Sequence, residues 1–309
     1  MSEPNVFDPM RIPMVAEASK LTAGFNSDDG LAYMSMPNQM SVYQAPILPE
    51  PEEMVAHQGA VATLNALIDM VKQQLAGEVV APMTLRHLSE ADLTVVNQVL
   101  GEGEVSATIV GDDSLNLVQI DIQETAFVGV WRVIALAQGV KVYDAIEVGT
   151  IPALIWQTAQ QDAQVTHTPS PLPKELVNIP SIIHEIQSHS QASLAMQGEG
   201  QGQNGFATTT PHVVNLTLLP LTEVDIAYID DQLGTGRITI LSRGYGNCRI
   251  TNTLTAHTWR LVYYNSQDNV ILNCIEVTDV PLVACASESD LADTLERLVE
   301  VLAWLESDA

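Results

Sequence analysis

TLRHLSEADLTVVNQVLGEGEVSATIV, residues 84–110, and TLLPLTEVDIAYIDDQLGTGRITILSR, residues 217–243, are two versions of one pattern. Aligned without a gap, Thr84, Leu85, Leu88, Glu90, Asp92, Leu100, Gly101 and Gly103 match Thr217, Leu218, Leu221, Glu223, Asp225, Leu233, Gly234 and Gly236, at an offset of 133 (217 − 84). Downstream, Trp131-Arg132 matches Trp259-Arg260 at 128 (259 − 131), and Ile146-Glu147-Val148 matches Ile275-Glu276-Val277 at 129 (275 − 146). Landmarks kept in order over such a span mark an internal repeat.

Each copy carries the same local signals. Ser89 and Thr222 are N-cap residues followed by acids, and Gly101 and Gly234 stand where a helix ends in a left-handed residue. Alternating, β-branched runs follow: VSATIV, LNLVQIDI, VGVWRVIAL and VKVYDAIEV in the first copy, RITIL, CRITNTL, WRLVYY and VILNCIEV in the second. Short turns between such runs require antiparallel pairing. Helical spacing of apolar residues predicts helices over 52–75, 173–194 and 287–305. The expected fold is α+β: two tandem copies of a helix, about four antiparallel strands and a closing helix, related by a pseudo-twofold axis. The expected organisation is an extended arm over 1–50, a first repeat over 51–196, a linker over 197–210 and a second repeat over 211–309.

Composition narrows the function. The chain has 12 basic and 38 acidic residues among 309, a net charge of −26, with 46% hydrophobic residues. It can bury a large core, and its field repels nucleic acid. The start, MSEPNVFDP, has no basic region leading into an apolar one, so no secretory signal or membrane insertion is expected and the compartment is read as cytoplasm. Cys248, Cys274 and Cys285 form no CxxC pair.

Most motif matches have a plain reading. Gly200, Gly202 and Gly205 fit GxGxxG but lack the strand before and the helix after that a dinucleotide site needs, so they read as linker. His184, Glu185 and His189 resemble HExxH with one residue too many, which turns the second imidazole away from the first. Asp112-Asp113 and Asp230-Asp231 read as solvated acid pairs.

Residues 237–260 differ. They hold Arg237, Arg243, Arg249 and Arg260 with no acid, whereas the corresponding stretch of the first copy has Arg132 as its only basic residue. The common fold does not need the extra arginines, which points to a function peculiar to the second copy. Within this stretch runs Ser242, Arg243, Gly244, Tyr245, Gly246, Asn247, Cys248 and Arg249. Its glycines let a partner approach the backbone, its arginines can fork onto carboxylates or carbonyls, and Arg249 beside Cys248 would favour thiolate. A structural alternative is a glycine hairpin whose arginines pair with acids elsewhere in the chain.

The SRGYGNCRIT run resembles the C-terminal domain of the HupH/HoxQ/HyaF family of hydrogenase expression and formation proteins, as do LPLTEVDIAYIDDQLGTG before it and YNSQDNVILNCIEVTDVP after it. In the arm, Tyr33-Met34-Ser35-Met36-Pro37, Met40, Tyr43 and LPEPEE resemble the family's N-terminal region. The resemblance implies a dedicated, non-catalytic chaperone for maturation of an uptake [NiFe] hydrogenase. Its expected partner is the immature iron–sulfur small subunit before export, with other maturation accessory proteins as further candidates. It carries the motif residues 242–249 over as partner-binding, with Trp259, Asn265, Ser266 and Asp268 nearby. No catalytic residue, cofactor or resident metal is expected; one cysteine cannot hold a cluster that takes about four protein ligands. The alternative is a thiol-dependent enzyme or a sulfur or metal carrier using Cys248.

Overall fold

A computed structural model describes residues 48–307 except 112–118, 172, 174–175, 177, 197–209 and 245. Residues 1–47 of the expected arm and 197–209 of the expected linker, with the GxGxxG match, therefore lie outside the described residues, as do Asp112 and Asp113. The elements are α1 (Pro51–Met54), α2 (Gln58–Leu75), β1 (Met83–Thr84), α3 (Glu90–Leu100), β2 (Val105–Val110), β3 (Gln119–Glu124), β4 (Val130–Ala137), β5 (Val140–Val148), α4 (Ala153–Asp162), α5 (Ile179–Met196), β6 (His212–Asn215), α6 (Glu223–Leu233), β7 (Ile238–Ser242), β8 (Asn247–Asn252), β9 (Thr258–Tyr264), β10 (Val270–Val277) and α7 (Glu288–Leu305). The fold is mixed α and β, and every strand pair within each unit below is antiparallel.

The caps behave as their chemistry dictates. Ser89 Oγ accepts from Asp92 N, and the Thr222–Asp225 and Ser287–Asp290 pairs form capping boxes. Gly101 and Gly234 close α3 and α6 at φ of 59° and 68°. The expected helix over 52–75 breaks at 55–57. The second piece begins where Gly59 meets the α3 cap: a Cβ on Gly59 would lie 2.7 Å from Asp92 Oδ2.

The chain forms two compact units. Among the described residues the first holds 48–155 and 282–307, the second 156–281, and the boundary falls inside α4. In the first unit the strand order is β1-β5-β4-β3-β2; in the second it is β6-β10-β9-β8-β7. The first core gathers Leu64, Leu67 and Val71 of α2, Val96 and Val99 of α3, Phe127, Val130 and Ile146, with Leu291, Leu298, Leu302 and Leu305 of α7. The second gathers Ile179, Ile183 and Ile186 of α5, Ile229 and Leu233 of α6, Val214, Ile275 and Val277.

This division corrects the expected spans of 51–196 and 211–309. Helix α7 belongs to the first unit's core and α5 to the second's. An apolar stripe says that a helix face is buried, not which sheet it will cover. Polar contacts fix the choice in each unit: Thr294 Oγ1 donates to Val128 O at 2.8 Å, and Ser190 Oγ donates to Ala256 O at 2.7 Å.

Candidate functional site

The register of the second sheet brings the sequence motif into one place. Ser242 pairs with Cys248, Asn247 with Tyr264, and Tyr264 with Val270. The β7–β8 turn and the β9–β10 turn therefore stand side by side at one end of the sheet. In the first turn Arg243, Gly244 and Gly246 are exposed, Asn247 is half-buried, and Gly246 takes φ of 102°, which favours glycine. Tyr245 lies outside the described residues. In the second turn the Asn265 side chain accepts from Gln267 N and Asn269 N, each at 2.9 Å, which leaves Ser266 and Asp268 exposed and Asp268 at φ of 59°. The described residues of the sequence groups 242–249 and 265–268 thus converge.

Three expected contributors do not join them as expected. Trp259 sits at the opposite end of β9, is 1% exposed, and donates Nε1 to Asp279 O at 3.1 Å. Its counterpart Trp131 makes the same contact with Gly149 O at 2.9 Å, so the indole ties the strand meander to the loop beyond it in both units. Ser242 and Cys248 are buried. Burial pushes the Cys248 thiol up to about 12, with nearby Cys274 and Glu276 adding to the rise and a hydrogen bond from Tyr263 opposing it. The expected thiolate is overturned for a simple reason. Arg249 and Cys248 are neighbours in a strand, so their side chains leave on opposite faces.

The arginine-rich segment is also partly accounted for by the fold. Arg237 Nε donates to Asp162 Oδ1 at 2.6 Å, its main-chain N donates to Asp162 Oδ2 at 2.8 Å, and Asn252 Nδ2 donates to the same Oδ2 at 2.8 Å. Arg260 reaches Asp230 at 2.5 Å, where in the first unit Arg132 reaches Asn97, the equivalent position. Asp230 is thus an ion-pair partner whose side chain stays partly exposed. Asp231 accepts from Ser170 N at 2.8 Å. The structural alternative holds for Arg237 and Arg260. Asp162 was invisible to sequence reasoning, since it falls in a helix with no repeat landmark, 75 residues before its partner.

On α5, His189 stacks on His212 at 3.5 Å between ring centroids, and His212 Nε2 lies 2.9 Å from Glu185 Oε1. Parallel rings do not aim two lone pairs at one ion. Among the described residues no group of three His, Cys, Asp or Glu side chains is placed to hold a metal ion. No helix among them is long and apolar enough to cross a membrane.

The decisive comparison is with protein families. Residues 58–168 and 176–305 match the family described as "HupH hydrogenase expression protein, C-terminal conserved region". The chain belongs to the HupH family. HupH relatives extend over nearly its whole length. It is 42% identical over 281 residues to "Hydrogenase expression/formation protein HoxQ" of Cupriavidus necator, covering 91% of this chain and 93% of that one. It is 37% identical to "Hydrogenase expression/formation protein HupQ" of Azotobacter chroococcum, covering 95% and 100%, and 32% identical to "Hydrogenase-1 operon protein HyaF" of Escherichia coli, covering 90% and 93%. A solved HupH structure, "Hydrogenase expression protein HupH from Thiobacillus denitrificans", matches at a TM-score of 0.35 and 25% identity, covering 41% of this chain and 95% of that one.

Proposed function

We propose that this chain is a non-catalytic accessory factor for maturation of an uptake [NiFe] hydrogenase, acting in the cytoplasm as a chaperone that holds the immature iron–sulfur small subunit before export. The observation that carries the reading is near full-length similarity to several proteins named for hydrogenase expression and formation. The docking face is read at the end of the second-unit sheet, through Arg243, Gly244, Tyr245, Gly246, Asn247, Arg249, Asn265, Ser266 and Asp268. Support comes from the two exposed turns at one end of the sheet and from glycines that open the backbone to a partner. The thiol alternative is disfavoured by burial of Cys248. The two units are read as copies of one α/β element. Their strand orders support duplication, as do the similar contacts that Trp131 and Trp259, and Arg132 and Arg260, each make within their own unit.

The test is capture of purified small-subunit precursor by the full chain. Arg243→Glu with Tyr245→Ala should keep the far-ultraviolet dichroism and unfolding midpoint of the parent and lose capture. A folded double variant that captures the precursor normally refutes the docking face. Absence of capture by the parent chain refutes the client.

A further inference from the structure

Residues 197–209 divide the sequence into a leading part, which ends with α5 at Met196, and a trailing part, which is described from Thr210. Neither compact unit is built from one part alone. Among the described residues the first unit takes 48–155 from the leading part and 282–307 from the trailing part. The second takes 156–196 from the leading part and 210–281 from the trailing part.

In the first unit the trailing part lends α7. Leu298, Leu302 and Leu305 enter the same core as Leu64, Leu67 and Val71 of α2. The polar groups of α7 address one turn of the leading part. Thr294 Oγ1 donates to Val128 O at 2.8 Å, Arg297 Nη1 donates to Ala126 O at 3.2 Å, and the Arg297 guanidinium lies 5.2 Å from the centre of the Phe127 ring. The approach is close: a Cβ on Gly129 would stand 2.6 Å from Leu291 Cδ2. Ala286 N, donating to Thr150 O at 2.9 Å, fastens the chain just before the helix.

In the second unit the loan runs the other way. The leading part lends α5, whose Ile179, Ile183 and Ile186 share a core with Ile229, Leu233 and Ile275 of the trailing part. Ser190 Oγ donates to Ala256 O at 2.7 Å. The leading part also supplies Asp162, the buried acceptor of Arg237 and Asn252. Ser170 adds two contacts of 2.8 Å, its N donating to Asp231 Oδ2 and its O accepting from Gln232 Nε2. Each part thus gives the other a helix of 18 residues.

We propose that the leading and trailing parts are each other's binding partners, clasped by the reciprocal loan of α5 and α7, so that they stay together and folded when the covalent link between them is cut. Parting them would strip an apolar helix from each of two cores and return those faces to water. A helix taken from its core keeps little structure of its own, so neither half of the clasp opens cheaply. The link over 197–209 then acts mainly by raising the effective concentration of one part near the other. The inference does not depend on the proposed function.

The test uses the full chain with the recognition site of a sequence-specific protease inserted between Gln203 and Asn204. After cutting, the two parts should co-elute in size exclusion at the position of the uncut chain and keep its far-ultraviolet dichroism. The unfolding midpoint of the cut chain should rise with protein concentration, as for any two-chain complex, while that of the uncut chain does not. Leu298→Ala and Ile186→Ala, one on each lent helix, should each raise the dissociation constant of the cut parts by roughly tenfold or more. Val299→Ala and Leu194→Ala, at exposed positions on the same helices, should leave it nearly unchanged. Should either core truncation prevent the uncut chain from folding, Leu298→Val and Ile186→Val should weaken the complex in the same direction by less. Separation of the cut parts into two folded species without denaturant overturns the proposal. So does a midpoint of the cut chain that is independent of concentration, or a dissociation constant that the core truncations leave unchanged.

Discussion

Arg237 and Asp162 are joined by a buried bridge in which one carboxylate takes the guanidinium, the Arg237 main-chain N–H and the Asn252 amide. Both side chains are more than nine-tenths buried. Removing one partner strands a charge in the interior. Asp162→Ala should therefore cost about 3–5 kcal/mol in urea unfolding. Asp162→Leu combined with Arg237→Met should recover most of that loss, since apolar replacement of a buried pair is often neutral. A single substitution costing under about 1 kcal/mol would contradict the structural role.

The closing helix of the first unit gives a second outcome. Leu298→Ala should cost about 2–5 kcal/mol, as buried leucine truncations do. Hydrogen exchange should show the loss in α2 and α3, whose side chains share its core, while β8 to β10 keep their protection. Loss confined to the second unit would restore the simple tandem division.

Thiol chemistry is suppressed by burial. Cys248 and Cys274 are buried and pushed up to about 12 and about 11, while Cys285 is only half-buried. At mildly alkaline pH the Cys248 thiolate is depleted by roughly a thousandfold against an ordinary cysteine. Titration with an aromatic disulfide reagent should be slow in the native chain and rapid for all three thiols in guanidinium. Fast native reaction at Cys248 would revive the carrier reading.

Two buried carboxyls of the first unit, Glu124 and Glu147, are pushed up to about 7 and set a pH dependence, and Glu124 shows how. Glu124, 4% exposed beside Glu104 and Asp290, is pushed up to about 7 by burial although it accepts from Gly129 N. The folded state then holds a proton that the unfolded chain releases from about pH 4.5 upward. This group's contribution to stability therefore declines as pH rises from there to about 7 and stays low above it. The equivalent position in the second unit is Asn252, which is neutral. Glu124→Gln should flatten the curve and raise stability above pH 7, by at most about 3 kcal/mol. An unchanged pH profile of unfolding would refute this.

Local chemistry was legible in the sequence and distant pairing was not. Ser89 and Thr222 announced helix starts because a cap uses residues three positions apart. Alternation announced the strands, and two of the expected site segments converge because hairpin register carries them to one end. The partners of Arg237 and Arg260 lie 75 and 30 residues away, beyond any local signal. Trp259 matched Trp131 as a repeat landmark because it holds the fold, and its burial removes it from a docking surface. The Cys248 reading failed on strand geometry, where adjacent residues are not neighbours in space.

Placing α7 in the core of the first unit has a consequence for synthesis. Residues 48–155 emerge from the ribosome well before Leu291, Leu298, Leu302 and Leu305 exist, a wait on the order of ten seconds at bacterial elongation rates. Until those leucines arrive, the apolar faces of α2 and α3 remain incomplete. The first half of the chain thus matures only after the second half has been translated, and a truncated product would carry an unfinished core that quality control can recognise.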